Sequence, residues 1–378
     1  MNSITLPYPE ALPTRRSDLA MAAKAVIIGA DVLPSLHTPA ARAALRARLS
    51  PYTAAPAAPA PATQRAPRRL AASSRQAQAE QREHDRYFEV ERSAGPGADA
   101  FVAGLVLAHL AVYESCEQMG VTLLDGPQWD LLCGGLGALI DLAGPTPAAE
   151  PAWAVAPPAA AESAAGQPPS WVPGLPSSAG YRAGYDPAKR WLAGHQLFFS
   201  LIQGAIVGLN CFATAVAAGQ PEEADLGLRL AAAFLHSSAE AMKLASDFAP
   251  ADYDQTVRPA MVPPKVRAGF SGLQTRDHAY LVRLFAALKP LFPGPHRSSA
   301  TRAEFTEAVV LAYAAHEFIC ARFRGDVLPS LRMAAASRGH TQRSGTEVIR
   351  EMMRARLHWR SVECRVASVI FGAGARIL

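Results

Sequence analysis

The stretch WLAGHQLFFSLIQGAIVGLNCFATAVAAG, residues 191–219, decides the fold because it contains no Asp, Glu, Lys or Arg. A segment this long and apolar could cross a bilayer. However, polar residues interrupt it, and no second span or asymmetry of basic flanking residues accompanies it. Those polar residues are Ser200, Gln203, Asn210 and Thr214. We therefore predict the central helix of a soluble helical bundle, apolar on every side because neighbouring helices surround it.

The composition of the whole chain agrees with a helical bundle. Of the 378 residues 50% are apolar, which excludes a disordered protein, and only 7% are aromatic. Alternating β-branched runs are hard to find, so an all-β sandwich or barrel is excluded as well. The fold class is therefore predicted to be all-α. The formal charge of +5 does not form a periodic basic stripe, and we expect no nucleic-acid partner.

The cysteines and the N-terminus indicate the cellular compartment. Five widely spaced cysteines, with no Cys-x-x-Cys pair, argue against a disulfide framework or a structural zinc site. The first 20 residues lack the basic start and apolar core of a secretory signal. We expect a cytoplasmic protein without a membrane partner.

Proline, alanine and glycine divide the chain. We predict a helical N-terminal lobe at 1–150 with a disordered Ala/Pro tract at 51–67, a linker at 151–187, and a helical core at 188–378. The four prolines and two glycines of 248–274 predict a loop instead of a continuous helix. The predicted helices are 100–119 (capped by Asp99), 129–142, 188–218, 222–247, 275–289, 300–324 and 345–369.

The motif His316-Glu317-Phe318-Ile319-Cys320 lies in one of these helices. Residues four apart share a helix face, so the imidazole and the thiol point into the same space about one turn apart. This arrangement suits haem, with His316 as the proximal iron ligand and Cys320 as a thioether anchor to the edge of the ring. The motif alone also fits a hydrogen-bonded core histidine beside a small apolar thiol.

Four segments resemble, in order, the haem-dependent tryptophan and indoleamine dioxygenase superfamily. They are residues 252–259 (DYDQTVRP), 269–274 (GFSGLQ), 321–324 (ARFR) and 344–346 (SGT). The resemblance implies an all-α, tryptophan dioxygenase-like helical bundle around a haem, here with Pro/Ala-rich loops. The position that usually supplies the proximal histidine in that superfamily is Val327 in this chain.

Resemblance to a narrower family within this superfamily accounts for the valine at position 327. His278, followed by 37 residues and then His316-x-x-x-Cys320, resembles the saframycin-pathway 3-methyl-L-tyrosine hydroxylase family. The resemblance implies a haem held by two histidines and attached covalently through one cysteine. It also implies a monooxygenase of antibiotic biosynthesis that hydroxylates the ring of 3-methyl-L-tyrosine, or of L-tyrosine, to a catechol.

Further roles follow for individual residues. His278 is the expected exchangeable ligand, because an iron with two histidines is closed to oxygen and His316 is tethered by Cys320. A helix-capping role is the alternative for His278.

Arg258 is expected to bind the substrate carboxylate through a planar guanidinium, unless it contacts a haem propionate or solvent. Tyr253 and Phe270 are expected to form the aromatic wall for the phenol ring, with plain packing as the alternative.

Three residues complete the candidate set. Ser344 and Thr346 resemble part of a glycine-threonine turn that closes over the substrate and the propionates. His109, on an apolar N-terminal helix, is a candidate distal acid/base, and a satisfied core histidine is the alternative.

Three functions compete. The first is the haem monooxygenase, which would use peroxide, or dioxygen with a reductant, on an aromatic amino acid and could form a homodimer. The second is a non-catalytic bis-histidine haem carrier or sensor, or a dioxygenase-like enzyme on an indole. The third is a helical scaffold without a cofactor. A pocket beside Arg258 distinguishes the first from the carrier, and an absorption spectrum tests the scaffold.

Overall fold

A computed structural model describes most of the chain, and its regular structure is almost entirely helical. The described residues are 3–27, 38–53, 75–93, 97–144, 172–173, 181, 184–270, 275–292, 299–323 and 344–357. The principal helices are α1 (Arg16–Ile27), α2 (Pro39–Thr53), α3 (Arg75–Tyr87), α4 (Gly97–Met119), α5 (Gly126–Ala143), α6 (Pro187–Ala217), α7 (Pro221–Ala245), α8 (Arg276–Leu288), α9 (Ser299–Arg322) and α10 (Gly345–Leu357). The prediction of an all-α fold is confirmed.

Four short strands form two parallel pairs. β1 (Ile4–Pro7) pairs with β2 (Val90–Ser93), and β3 (Val121–Thr122) pairs with β4 (Val172–Pro173). The first pair joins the N-terminal residues to the chain that follows α3. The hydrophobic core includes side chains from α1 through α9, so the N-terminal and C-terminal helices share it. The division into an N-terminal lobe, a linker and a core stays a prediction.

Helix α6 lies at the centre of the fold, as the uncharged stretch predicts. Its N-terminus is capped by Asp186, whose side chain accepts a hydrogen bond from the Ala188 backbone N at 2.9 Å. Helices α4 and α6 are long and apolar enough to cross a membrane, but 78% and 83% of their most apolar windows are buried inside the fold. They are therefore core helices covered by their neighbours.

The closest helix packing is between α6 and α7, which run antiparallel. A Cβ atom on Gly208 would lie 2.4 Å from the Ala231 backbone N, and one on Gly194 would lie 2.4 Å from the Ala245 Cα. Such distances leave no room for a side chain, so glycine allows the two backbones to approach. This contact fixes α6, which carries part of the site described below.

Three sequence predictions need correction, two of them in the N-terminal helices. Helix α2 extends to Thr53 with Pro51 inside it, so the first three residues of the predicted Ala/Pro tract are helical. Residues 54–67 lie outside the described residues. Helix α4 starts at Gly97, which puts Asp99 in its first turn instead of at the cap.

The segment 250–260 is the other correction. It forms three consecutive short helical pieces, Pro250–Asp252, Tyr253–Val257 and Arg258–Ala260, where the prolines had predicted a loop. Pro250 and Pro259 occupy the first turns of the first and third pieces, where a missing N–H breaks no helical hydrogen bond. The middle piece is a π-helix. The predicted helix 345–369 is described only as far as Leu357.

Candidate functional site

His278 of α8 lies within electrostatic range of His316 of α9. Thr275 caps α8, and its Oγ1 accepts a hydrogen bond from the His278 backbone N at 3.0 Å. Burial, and next the proximity of His278, lower the pKa of His316 to about 4. Within the described residues no hydrogen bond engages either ring nitrogen of His316. A neutral imidazole with an unused lone pair is the form that binds iron.

Cys320 lies one turn beyond His316 on α9, as its spacing predicts. It is a free, half-buried cysteine. Burial, and to a lesser extent Glu317, raise its pKa to about 11, so the group is a thiol at neutral pH. The face of α9 that carries His316 therefore also presents a protonated sulfur.

A third histidine, His195 of α6, belongs to the same site. Its Nδ1–H donates to the Trp191 carbonyl oxygen at 2.8 Å, which leaves Nε2 as a hydrogen-bond acceptor. Burial lowers the pKa of His195 to about 3, with His84 and His316 acting in the same direction. His195 nevertheless retains accessible surface.

His195 had no sequence context that selected it. One signal was available, because it is the only histidine in a stretch without acidic or basic residues. An imidazole in a buried apolar helix is costly unless it has a polar partner or faces a cavity.

Aromatic rings from the N-terminal half line the region beside His195. Phe88 stacks on His195 with 4.7 Å between ring centroids, and Phe270 stacks on His84 at 4.5 Å. Tyr87 contacts Phe270 at 4.7 Å. Phe270, predicted to form an aromatic wall, is 1% exposed and belongs to this cluster. The N-terminal residues 84–88 thus contribute to a site that the sequence had assigned to the C-terminal core.

Tyr253 connects the predicted carboxylate-binding arginine to the same region. Its ring stacks on Phe323 at 4.1 Å and lies 6.0 Å from the ring of Trp191. Burial raises the pKa of Tyr253 to about 12, the guanidinium of Arg258 opposes this rise, and Cys320 adds to it. Tyr253 therefore lies between Arg258 and Cys320, within electrostatic range of both.

The structure places His109 apart from the His278–His316 pair. His109 is 1% exposed on α4, and its Nδ1 lies 2.9 Å from the Leu105 carbonyl oxygen. Burial lowers its pKa, and backbone groups of Leu105 and Leu132 oppose this shift. Those neighbours belong to α4 and α5, which fits the alternative of a core histidine. The acid/base role stays a prediction.

Ser344 and Thr346 form the N-terminus of α10. The Ser344 Oγ accepts a hydrogen bond from the Glu347 backbone N at 3.2 Å, and the Glu347 carboxylate accepts one from the Ser344 backbone N at 2.9 Å. The Thr346 hydroxyl lies 3.1 Å from that of Ser344. The reciprocal hydrogen bonds between Ser344 and Glu347 cap α10, and Thr346 contacts the capping hydroxyl. Ser344 and Thr346 therefore both have a structural role. Their contact with substrate stays a prediction, and Val327 lies outside the described residues.

The donor set fits a haem. A porphyrin supplies four equatorial nitrogens, so the protein needs to provide only axial ligands, and neutral imidazole is a common one. The paired imidazoles of His278 and His316 satisfy this requirement. Within the part of the chain that the structure describes, the ring nitrogens of His316 have no hydrogen bond, and the aromatic rings around His195 suit a flat, apolar ring system.

Three comparisons with known proteins agree with one another. The family model described as SfmD 3-methyl-L-tyrosine peroxygenase matches residues 5–308. The 3-methyl-L-tyrosine peroxygenase of Streptomyces lavendulae is 28% identical over 369 residues, which cover 93% of this chain and 90% of that protein. A crystal structure of reduced SfmD, soaked with sodium hydrosulfite, aligns with a TM-score of 0.57 and 26% identity, covering 84% of this chain and 96% of that chain.

Proposed function

Because the chain belongs to the SfmD 3-methyl-L-tyrosine peroxygenase family, we propose that it hydroxylates the ring of 3-methyl-L-tyrosine to a catechol at a haem bound by His278 and His316. The chain is an enzyme that oxygenates an aromatic amino acid, and its family uses peroxide as the oxidant. The observation that carries the haem site is that His278 on α8 lies within electrostatic range of His316 on α9, with Cys320 one helical turn beyond His316.

Haem, when bound, supplies peroxide activation and oxidation of the aromatic ring. The task of the chain is to hold the cofactor and to orient the substrate. His316 binds the iron from mid-helix, where neighbouring turns of α9 fix its backbone. His278 would be the second iron ligand and would have to release the iron before peroxide could bind there.

Cys320 anchors the haem by a thioether. In such a thioether the Cys320 sulfur would bond to one carbon of a vinyl group of the ring, and the thiol proton would go to the other carbon. This addition needs no external oxidant. The thiol lies one turn from the ligand that would position the ring edge, and its raised pKa keeps the proton on the sulfur.

Arg258 binds the substrate carboxylate. The proposal is supported by its place beside Tyr253, whose ring contacts Trp191 and lies near Cys320. A guanidinium beside aromatic side chains suits an amino acid whose side chain is a phenol. Tyr253 and Phe270 contribute aromatic surface, while Ser344 and Thr346 close the site from α10. We also expect a cytoplasmic enzyme, and a homodimer is compatible with its apolar helical lobe.

The test is turnover with isotopically labelled hydrogen peroxide. The purified holoenzyme should convert 3-methyl-L-tyrosine to a product heavier by one labelled oxygen atom. His316→Ala should lose most of the haem and the activity. His109→Gln tests the acid/base prediction separately, because turnover equal to that of the wild type would exclude that role. A holoenzyme that forms no labelled catechol would overturn the proposed reaction.

A further inference from the structure

Arg92 forms a buried ion-pair network with the residue that directly precedes His278. The side chain of Arg92 is 6% exposed, and that of Asp277 is fully buried. Arg92 donates through Nη2 to Asp277 Oδ2 at 2.7 Å and through Nη1 to Asp277 Oδ1 at 3.1 Å. It also donates to Asp85 through Nη2 at 2.7 Å and through Nε at 3.1 Å. One guanidinium thus binds two carboxylates, each through two hydrogen bonds.

Gln203 completes the network from the central helix. Its Nε2 donates to Asp277 Oδ1 at 2.8 Å and to the Pro7 carbonyl oxygen at 2.8 Å. We call Asp85, Arg92, Gln203 and Asp277 the Arg92 clamp. The clamp ties the first turn of α8 to α3, β2 and α6, and through Pro7 to β1.

Electrostatic attraction between Arg92 and the two carboxylates stabilises the clamp. Burial alone would disfavour the charged form of Arg92, but Asp277 and Asp85 more than offset it and raise the pKa of Arg92. Removing one partner would leave a charge buried without compensation, which is among the most costly changes inside a protein. The clamp therefore resists any displacement of Asp277.

We propose that the Arg92 clamp is the positioning device for the exchangeable haem ligand. This inference rests on the proposed function, because it takes His278 as that ligand. Asp277 and His278 are adjacent, so the fixed Asp277 side chain holds the backbone from which the imidazole projects. His278 then leaves and re-enters its axial position by rotation of its side chain, while the first turn of α8 stays in place.

The experiment compares Arg92→Met and Gln203→Met with the wild-type ferric holoenzyme. Two quantities are measured: the high-spin fraction in the absorption spectrum, and the rate at which cyanide replaces the sixth ligand. Both variants should raise the high-spin fraction. Arg92→Met should speed cyanide binding by about tenfold or more, because it removes both charge-assisted hydrogen bonds that hold Asp277, and loss of one such bond already corresponds to about tenfold. Arg92→Lys should restore the wild-type behaviour only in part, because an ammonium cannot make the planar fork.

Arg42→Met is the matched control. The Arg42 side chain is 3% exposed and pairs with Glu117, joining α2 to α4. Its loss should lower thermal stability to a similar degree without changing the spin state or the cyanide rate. Gln203→Met removes only a neutral hydrogen-bond donor to Asp277. It therefore still tests the clamp if Arg92→Met does not fold.

The results distinguish a failure of the clamp inference from a failure of the proposed function. If His278→Ala becomes high-spin while Arg92→Met and Gln203→Met keep wild-type spectra and rates, the clamp inference is overturned and the ligand assignment stands. If His278→Ala leaves the spectrum of the wild type unchanged, the ligand assignment itself fails and the clamp inference fails with it. Equal spectral changes in Arg42→Met would show a general loss of stability and would also overturn the clamp.

Discussion

Cys320 supplies the sharpest residue-scale prediction. If a thioether anchors the haem, acidified acetone should fail to extract it from the wild type, and the intact mass should exceed the polypeptide by one haem. Cys320→Ala should make the haem extractable, with binding partly retained through His316. Cys133→Ala, at another free half-buried cysteine, should behave like the wild type. Full extraction from the wild type would exclude the thioether.

Arg258 is tested by its preference for a carboxylate. A charge-assisted hydrogen bond contributes about 1.5–3 kcal/mol, so Arg258→Ala should weaken binding of 3-methyl-L-tyrosine by roughly ten- to a hundredfold. Arg258→Lys should recover part of this loss. Binding of the decarboxylated amine should change little, since it lacks the group that Arg258 binds. A variant that still distinguishes the two compounds as strongly as the wild type would assign the carboxylate to another residue.

At this scale the sequence indicates candidate ligands, whose role stays a prediction, but not their surroundings. His316 and Cys320 are four residues apart on one helix, so their common face follows from helix geometry. The proximity of His278 followed only from resemblance, because the two histidines lie on different helices. His195, Trp191 and Arg92 reach the site through tertiary packing of α6 and β2, which leaves no local spacing to detect.

The packing of α6 against α7 gives the element-scale prediction. Gly208→Ala should lower the free energy of unfolding by about 1–3 kcal/mol, because its Cβ would overlap the Ala231 backbone N. Gly137→Ala is the matched control in α5, where no atom lies within 4 Å of the added Cβ. It should raise stability by roughly 0.5–1 kcal/mol, since alanine favours a helix over glycine. Chemical denaturation measures both, and equal effects would contradict the close packing of α6 and α7.

Helix positions were the most predictable elements. The core helices α6, α7, α8 and α9 begin and end within two residues of the predicted limits, because Pro, Gly and capping residues mark their ends. The segment 250–260 was not predictable in this way. Its prolines predict a break in the helix. The structure shows why they are tolerated, because Pro250 and Pro259 lie in the first turns of short helical pieces.

The buried histidines together give a prediction for the whole molecule without haem. The pKa values of His195, His316 and His109 are lowered in the folded state, whereas in the unfolded chain they lie near 6.5. Between about pH 6.5 and 5 the unfolded state therefore binds more protons, and stability should fall as the pH falls. The urea midpoint of the haem-free protein measures this loss. His195→Gln should make the dependence shallower, and a midpoint that rises toward pH 5 would contradict these assignments.

The central claim is that His278 and His316 together hold the haem iron, and electron paramagnetic resonance of the ferric holoenzyme tests it most directly. Two axial imidazoles give a strong ligand field, so the wild type should show a low-spin signal. His278→Ala should convert this signal to a high-spin one with the haem retained, and His316→Ala should lose most of the haem. A wild type that is high-spin, or a His278→Ala variant with an unchanged low-spin signal, would contradict the account.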